Sequence, residues 1–154
     1  VGATIAYACM ARGVAQHIVL HDVKREKVDA EVLDLNHGLQ FVPMAMVEGS
    51  DDVGVCADAD IVVITAGAKQ KPGQTRMDLA SANADICRKM VPQLLHVAPH
   101  AVFLLVTNPV DVLTYISLQL SGLPPRRVIG SGTTRKGDAL MAVPLPGRPP
   151  GSAP

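Results

Sequence analysis

The sequence contains no tryptophan, and aromatic residues make up only 3% of its 154 positions. Any core it builds is therefore aliphatic. It carries no excess of either charge: 14 basic residues meet 14 acidic ones, so nothing in the electrostatics suggests nucleic acid or an anionic membrane as a partner. No apolar run approaches the roughly 20 residues of a membrane span. Its three cysteines, Cys9, Cys56 and Cys87, are odd in number and widely spaced. That excludes a disulfide framework and a cysteine metal site, and fits a reducing, cytoplasmic compartment. His17, His21, His37, His96 and His100 have no mutual spacing that suggests metal, so none is expected. The start lacks the basic region of a signal peptide and does not begin with Met, so it reads as cut, not processed.

Against these absences stands a chain that is 48% apolar and only 18% charged, enough for a sizeable core in one domain of ordinary size. Residues 1–12 are small and apolar, a helix by composition with Gly13 as its stop but no capping side chain before it. Residues 17–22 read as a strand ending on an acid. Residues 26–35 are amphipathic, with Val28, Val32 and Leu35 at helical spacing, and close at Asn36-His37-Gly38. Residues 44–47 are a short strand candidate. Residues 51–60 are acidic and turn-rich and lead into a strand at 61–65. A loop then spans 67–79, and a long helix follows over 79–97 with Pro92 as a point of kinking. Residues 101–106 form another apolar strand, 110–120 a helix whose Asp111 suits the positive helix end, and 127–132 a last strand and turn. Strands alternating with helices predict an α/β fold with a parallel, doubly wound sheet.

The texture changes near residue 134. Residues 143–154 are dominated by Pro, Gly and Ser without periodicity, and cannot bury enough apolar surface to offset their ordering entropy. Two regions are expected: residues 1–133 as a nucleotide-binding domain and 134–154 as a disordered tail.

Val1-Gly2, a small-residue helix and a strand ending in Asp22 form the back half of a dinucleotide fingerprint. In that arrangement the helix start receives a pyrophosphate, and an acid about 20 residues on bonds the adenosine ribose. An acid at this position favours NAD over its 2′-phosphorylated relative. The loop after the 61–65 strand is locally basic through Lys69, Lys71 and Arg76, which would attract an anion. The Asn108-Pro109 bond is a candidate for cis geometry.

In order, Val1-Gly2, Asp22, Asp34-Leu35-Asn36-His37-Gly38, Thr65-Ala66-Gly67, Gln70-Lys71-Pro72-Gly73, Thr75-Arg76, Asn83, Asn108-Pro109-Val110-Asp111 and Gly130-Ser131-Gly132-Thr133 resemble the nucleotide-binding half of the lactate/malate dehydrogenase family, the L-lactate branch in particular. The resemblance implies a Rossmann-type fold and an NAD-dependent oxidoreductase that interconverts a 2-oxo and a 2-hydroxy acid. It implies cofactor contacts at Val1, Gly2, Asp22, Lys27, Gly67, Ala68, Val106, Thr107, Asn108 and Ser131. It implies a substrate site of Gln70, Arg76, Asn108 and Asp111, with Arg76 as the catalytic group that polarises the substrate carbonyl when the loop closes. The malate branch typically carries Arg where Gln70 stands. A neutral Gln leaves a second substrate carboxylate without a charge partner, so pyruvate is favoured over oxaloacetate. Malate dehydrogenase, or a non-catalytic module that binds nucleotide or pairs with intact subunits, is the alternative. Full-length members of such a family are expected to be homo-oligomers.

Two departures accompany the resemblance. After Thr133 the family's Leu-Asp-Thr-Ala-Arg helix is replaced by Thr134-Arg135-Lys136-Gly137-Asp138, so the carboxylate-clamping Arg has no counterpart. The motif with the proton-donating His has none either. At the front, the first strand of a 3-2-1-4-5-6 sheet is missing. That leaves the strands at 17–22 and 61–65 with facing apolar edges a strand's width apart, which invites aggregation or strand donation. The reading is a fragment or mis-spliced translation of a gene of that family, expected to show no appreciable turnover by itself.

Overall fold

The structure is a computed structural model and describes residues 1–68 and 73–133, without the side chains of Arg76 and Thr133. The expectations for Gln70 and for the 134–154 tail lie outside the described residues. Helix α1 spans Gly2–Arg12 and ends at Gly13, whose φ of 61° puts it where glycine has no Cβ penalty. Strand β1 (His17–His21), helix α2 (Arg25–Gly38) and strand β2 (Met46–Ser50) follow. Then come β3 (Ile61–Ile64), α3 (Arg76–Val97), β4 (Val102–Leu105), α4 (Val110–Ser121) and β5 (Val128–Gly130). All ladders are parallel, as the alternation of strands and helices predicts.

Two boundaries differ from the sequence reading. The second strand lies at Met46–Ser50 and not at 44–47, because pairing with β1 in the register Ile18↔Val47 buries Val47 and leaves Met44 outside. Helix α3 begins at Arg76, three residues before the expected start. Thr75 caps it reciprocally: its Oγ1 accepts the Asp78 N–H at 3.1 Å, while an Asp78 carboxylate oxygen accepts the Thr75 N–H at 3.0 Å. Arg76 is thus a helix-start residue, not a loop residue. The helix then runs across Pro92 to Val97.

The strands fall into two sheets, β1-β2 and β3-β4-β5, with no ladder between β1 and β3. Each has its own core. In one, Ile18 and Val47 pack with Ala6 and Met10 of α1 and Leu35 of α2. In the other, Val62, Ile64, Phe103, Leu105 and Val128 pack under Ala84, Cys87, Val91 and Leu94 of α3 and Leu113 of α4. Burial alternates along β3, so Ile61 and Val63 remain exposed beside buried Val62 and Ile64. Asn36 is structural: its Nδ2 donates to the Val47 carbonyl at 3.2 Å and ties the end of α2 to β2.

Candidate functional site

Because the strands are parallel, their C-terminal ends share an edge, where an open α/β sheet receives its ligands. At the end of β1, Asp22 takes hydrogen bonds from the Lys27 Nζ and, at 3.2 Å, from the Lys24 N–H. Partial burial works to raise the Asp22 carboxyl. The Lys27 bond, the Lys24 N–H and the charges of Lys27 and His21 outweigh it, and the carboxyl sits below its ordinary value. The same bond is the main cause that raises the Lys27 ammonium, assisted by the charges of Asp22 and Glu31. Asp22 is therefore an anion at neutral pH, and a carboxylate has about four acceptor positions, so some remain for a ligand's hydroxyls.

Val1, Gly2 and Ala3 at the start of α1 line one cleft of about 110 Å³ with Leu20, Asp22 and Lys27. Thr65, at the end of β3, closes it. A Cβ on Gly2 would stand 2.9 Å from the Thr65 Oγ1, so only glycine leaves this approach open. A carboxylate with free lone pairs beside a helix N-terminus fits an adenosine ribose and its pyrophosphate. The cleft thus brings Val1, Gly2, Asp22 and Lys27 together, four residues the sequence reading had linked.

A second cluster lies at the ends of β3 and β4. The Thr107 hydroxyl donates to the Ala66 carbonyl at 2.8 Å, and the Val106 N–H to the Ile64 carbonyl at 2.9 Å. Gly67 packs against Thr107, where a Cβ would come within 2.6 Å of the Thr107 methyl. The organiser is Asn83, which is 2% exposed and whose side chain joins the Ala68 N–H to the Asn108 carbonyl. The Asn108-Pro109 bond is cis, as its sequence allowed. Gly67, Ala68, Val106, Thr107 and Asn108 are so gathered in one place. Asp111 stands exposed in the first turn of α4, and Ser131 follows the end of β5 on the same edge. Arg76 is brought to the start of α3, but its side chain and all of Gln70 fall outside what is described.

Asn83 and Thr65 appeared in the sequence only as members of a pattern, without a role. A signal for Asn83 was present: it is a polar residue on the stripe of α3 that buries Ala84, Cys87, Val91 and Leu94. A polar group in that position needs partners nearby. Thr65 gives no such signal, because its closeness to Gly2 is made by the fold alone. Among the described residues no group of His, Cys, Asp and Glu is arranged to hold a metal ion, and no helix is long and apolar enough to cross a membrane.

Fold and site together define a parallel α/β nucleotide-binding domain. The family description "lactate/malate dehydrogenase, NAD binding domain" matches residues 1–130, and the chain belongs to that family. It is 55% identical over 133 residues to an L-lactate dehydrogenase of Bifidobacterium animalis subsp. lactis and 50% identical to one of Geobacillus sp., in each case over 86% of this chain and 42% of the relative. The minor L-lactate dehydrogenase of Enterococcus mundtii, solved in a ligands-bound form, is 45% identical with a TM-score of 0.80, over 84% of this chain and 41% of that one. The chain thus spans about two fifths of the length of these relatives.

Proposed function

We propose that this chain is the nucleotide-binding part of an L-lactate dehydrogenase that acts on pyruvate and lactate in cytoplasmic glycolysis and assembles with copies of itself. The observation that carries the reading is the Asp22 carboxylate set beside the start of α1, in a chain 55% identical to an L-lactate dehydrogenase. NADH, when bound, supplies the hydride that reduces the 2-oxo carbon. Asp22 accepts the adenosine ribose hydroxyls, with Lys27 at the adenosine end. Val1 and Gly2 present the N-terminus of α1 to the pyrophosphate. Gly67, Ala68, Val106 and Thr107 lie along the cofactor, and Ser131 lies by its nicotinamide. Asn108 bonds the substrate oxygen, with Asp111 in the same substrate site. Arg76 stabilises the negative charge that develops on that oxygen. Gln70, being neutral, accepts the methyl group of pyruvate and disfavours a second carboxylate.

Calorimetric titration with NADH tests the cofactor assignment. Saturable binding is expected, weakened about tenfold or more by Asp22→Ala, since a charge-assisted hydrogen bond contributes about 1.5–3 kcal/mol. Equal binding by the variant would overturn it. The substrate assignment is tested in a chain extended to the length of its relatives, where pyruvate should be reduced in preference to oxaloacetate and Gln70→Arg should narrow or reverse that preference.

A further inference from the structure

Where β3 and β4 end, the Val106 N–H donates to the Ile64 carbonyl at 2.9 Å. Beyond that bond, side chains tie the two segments together. The Thr107 hydroxyl donates to the Ala66 carbonyl at 2.8 Å, and Asn83 of α3 bridges Ala68 to Asn108. Asn83 divides its amide between them. Its Oδ1 accepts the Ala68 N–H at 2.7 Å, and its Nδ2 donates to the Asn108 carbonyl at 2.8 Å. Gly67 lies against the same amide, where a Cβ would stand 3.4 Å from Oδ1 and 3.6 Å from Nδ2.

The amide is also held by its own helix. Ala84, Cys87, Val91 and Leu94 root α3 in the larger core, Thr75 and Asp78 cap its start, and Asn83 itself is buried. With both polar atoms bonded, the amide has one orientation. Turning it over would set Nδ2 against an N–H and Oδ1 against a carbonyl. Displacing Ala68 or Asn108 alone would strip a buried group of its partner, so the two segments keep a fixed spacing. In the function proposed above, the two residues serve different ligands: Ala68 lies along the cofactor, and Asn108 bonds the substrate oxygen. A misplacement of about 1 Å at such a site can cost about 10²-fold in rate.

Resting on that function, we propose that Asn83 is a positioning residue that couples the two ligands. Nucleotide seated against Gly67 and Ala68 sets, through this one amide, where Asn108 meets the substrate oxygen. Asn83 touches neither ligand and acts through the backbone of Ala68 and Asn108. Its acceptor half serves the cofactor and its donor half the substrate, so substitution can separate the two.

The test uses a chain extended to the length of its relatives, with NADH affinity read by calorimetry and pyruvate reduction by the loss of NADH absorbance. Asn83→Asp keeps the shape and the acceptor but, once ionised, has no donor for the Asn108 carbonyl. It should bind NADH within about threefold of the parent, while kcat/KM for pyruvate falls about tenfold or more. A protonated carboxyl donates again, and burial favours that form. The deficit relative to the parent should therefore shrink as pH is lowered from about 9 to about 6. Asn83→Ala loses both halves and should weaken NADH binding about tenfold as well. Urea unfolding identifies the variants that fold, and the Asp variant decides the matter if the Ala variant does not.

The proposal is overturned if Asn83→Asp loses NADH affinity and kcat/KM to the same extent, or if it keeps both at parent levels throughout. It is also overturned if the deficit in kcat/KM does not change with pH. A parent that binds no NADH or reduces no pyruvate overturns the proposed function itself, and this coupling with it.

Discussion

The side-chain amide of Asn83 donates to the backbone carbonyl of Asn108 at 2.8 Å, from 25 positions away in the chain. Its oxygen accepts the Ala68 N–H at 2.7 Å, so one buried side chain fixes the segments that leave β3 and β4. Replacing it by alanine leaves a donor and an acceptor without their partner. Asn83→Ala should destabilise the domain by about 2–4 kcal/mol, from the usual penalty for each orphaned group. Urea unfolding with an unchanged m-value would show this as a lower midpoint.

Gly67 stands so close to Thr107 that a Cβ would meet the threonine methyl at 2.6 Å. Gly67→Ala should therefore destabilise by about 1–3 kcal/mol, the range for overpacking. Thr107→Ser removes the methyl but keeps the hydroxyl that bonds the Ala66 carbonyl. The double variant should recover most of the loss, and a double-mutant cycle in urea measures the coupling.

The Asp22 carboxyl is depressed in the folded chain although its partial burial opposes this, because Lys27 and the Lys24 N–H favour its charged form. The stability this contributes is present above the unfolded value of about 3.9 and is lost as pH falls through the lower folded value. In Lys27→Met the Asp22 titration midpoint should rise, and the variant should lose less stability than the parent between pH 5 and pH 3. Carboxyl carbon NMR titration and urea unfolding at the two pH values check the two parts.

Thr75 and Asp78 cap α3 reciprocally, and that helix carries Asn83 and four buried residues of the larger core, Ala84, Cys87, Val91 and Leu94. Thr75→Ala should lower stability by about 1 kcal/mol, the typical loss for a cap residue. Thr75→Ser keeps the hydroxyl and should retain most of it. Because neither cap residue is among those proposed to contact NADH, the affinity change for NADH should be smaller than that of Asp22→Ala.

That β1 and β3 do not pair was legible before any coordinates, because the 3-2-1-4-5-6 strand order expected for the sheet keeps them apart. What the sequence could not supply was the register of the ladders from β1 to β2 and from β3 to β4. The boundary errors have a similar origin. Met44 and Val47 are both apolar, and only pairing with Ile18 decides which is buried. The start of α3 was misplaced because the Thr75–Asp78 capping pair was read as part of a basic loop.

By itself the sequence determined the element types and the parallel sheet, since apolar period and β-branched runs are local properties. It also determined the identity of the strand-end carboxylate, because the spacing from Gly2 to Asp22 is set by one helix and one strand. Only the tertiary structure decided what lies beside what. Thr65 against Gly2, Gly67 against Thr107 and Asn83 between Ala68 and Asn108 are contacts between distant segments. No local pattern encodes such contacts, because their distances are fixed by how the strands and helices share space.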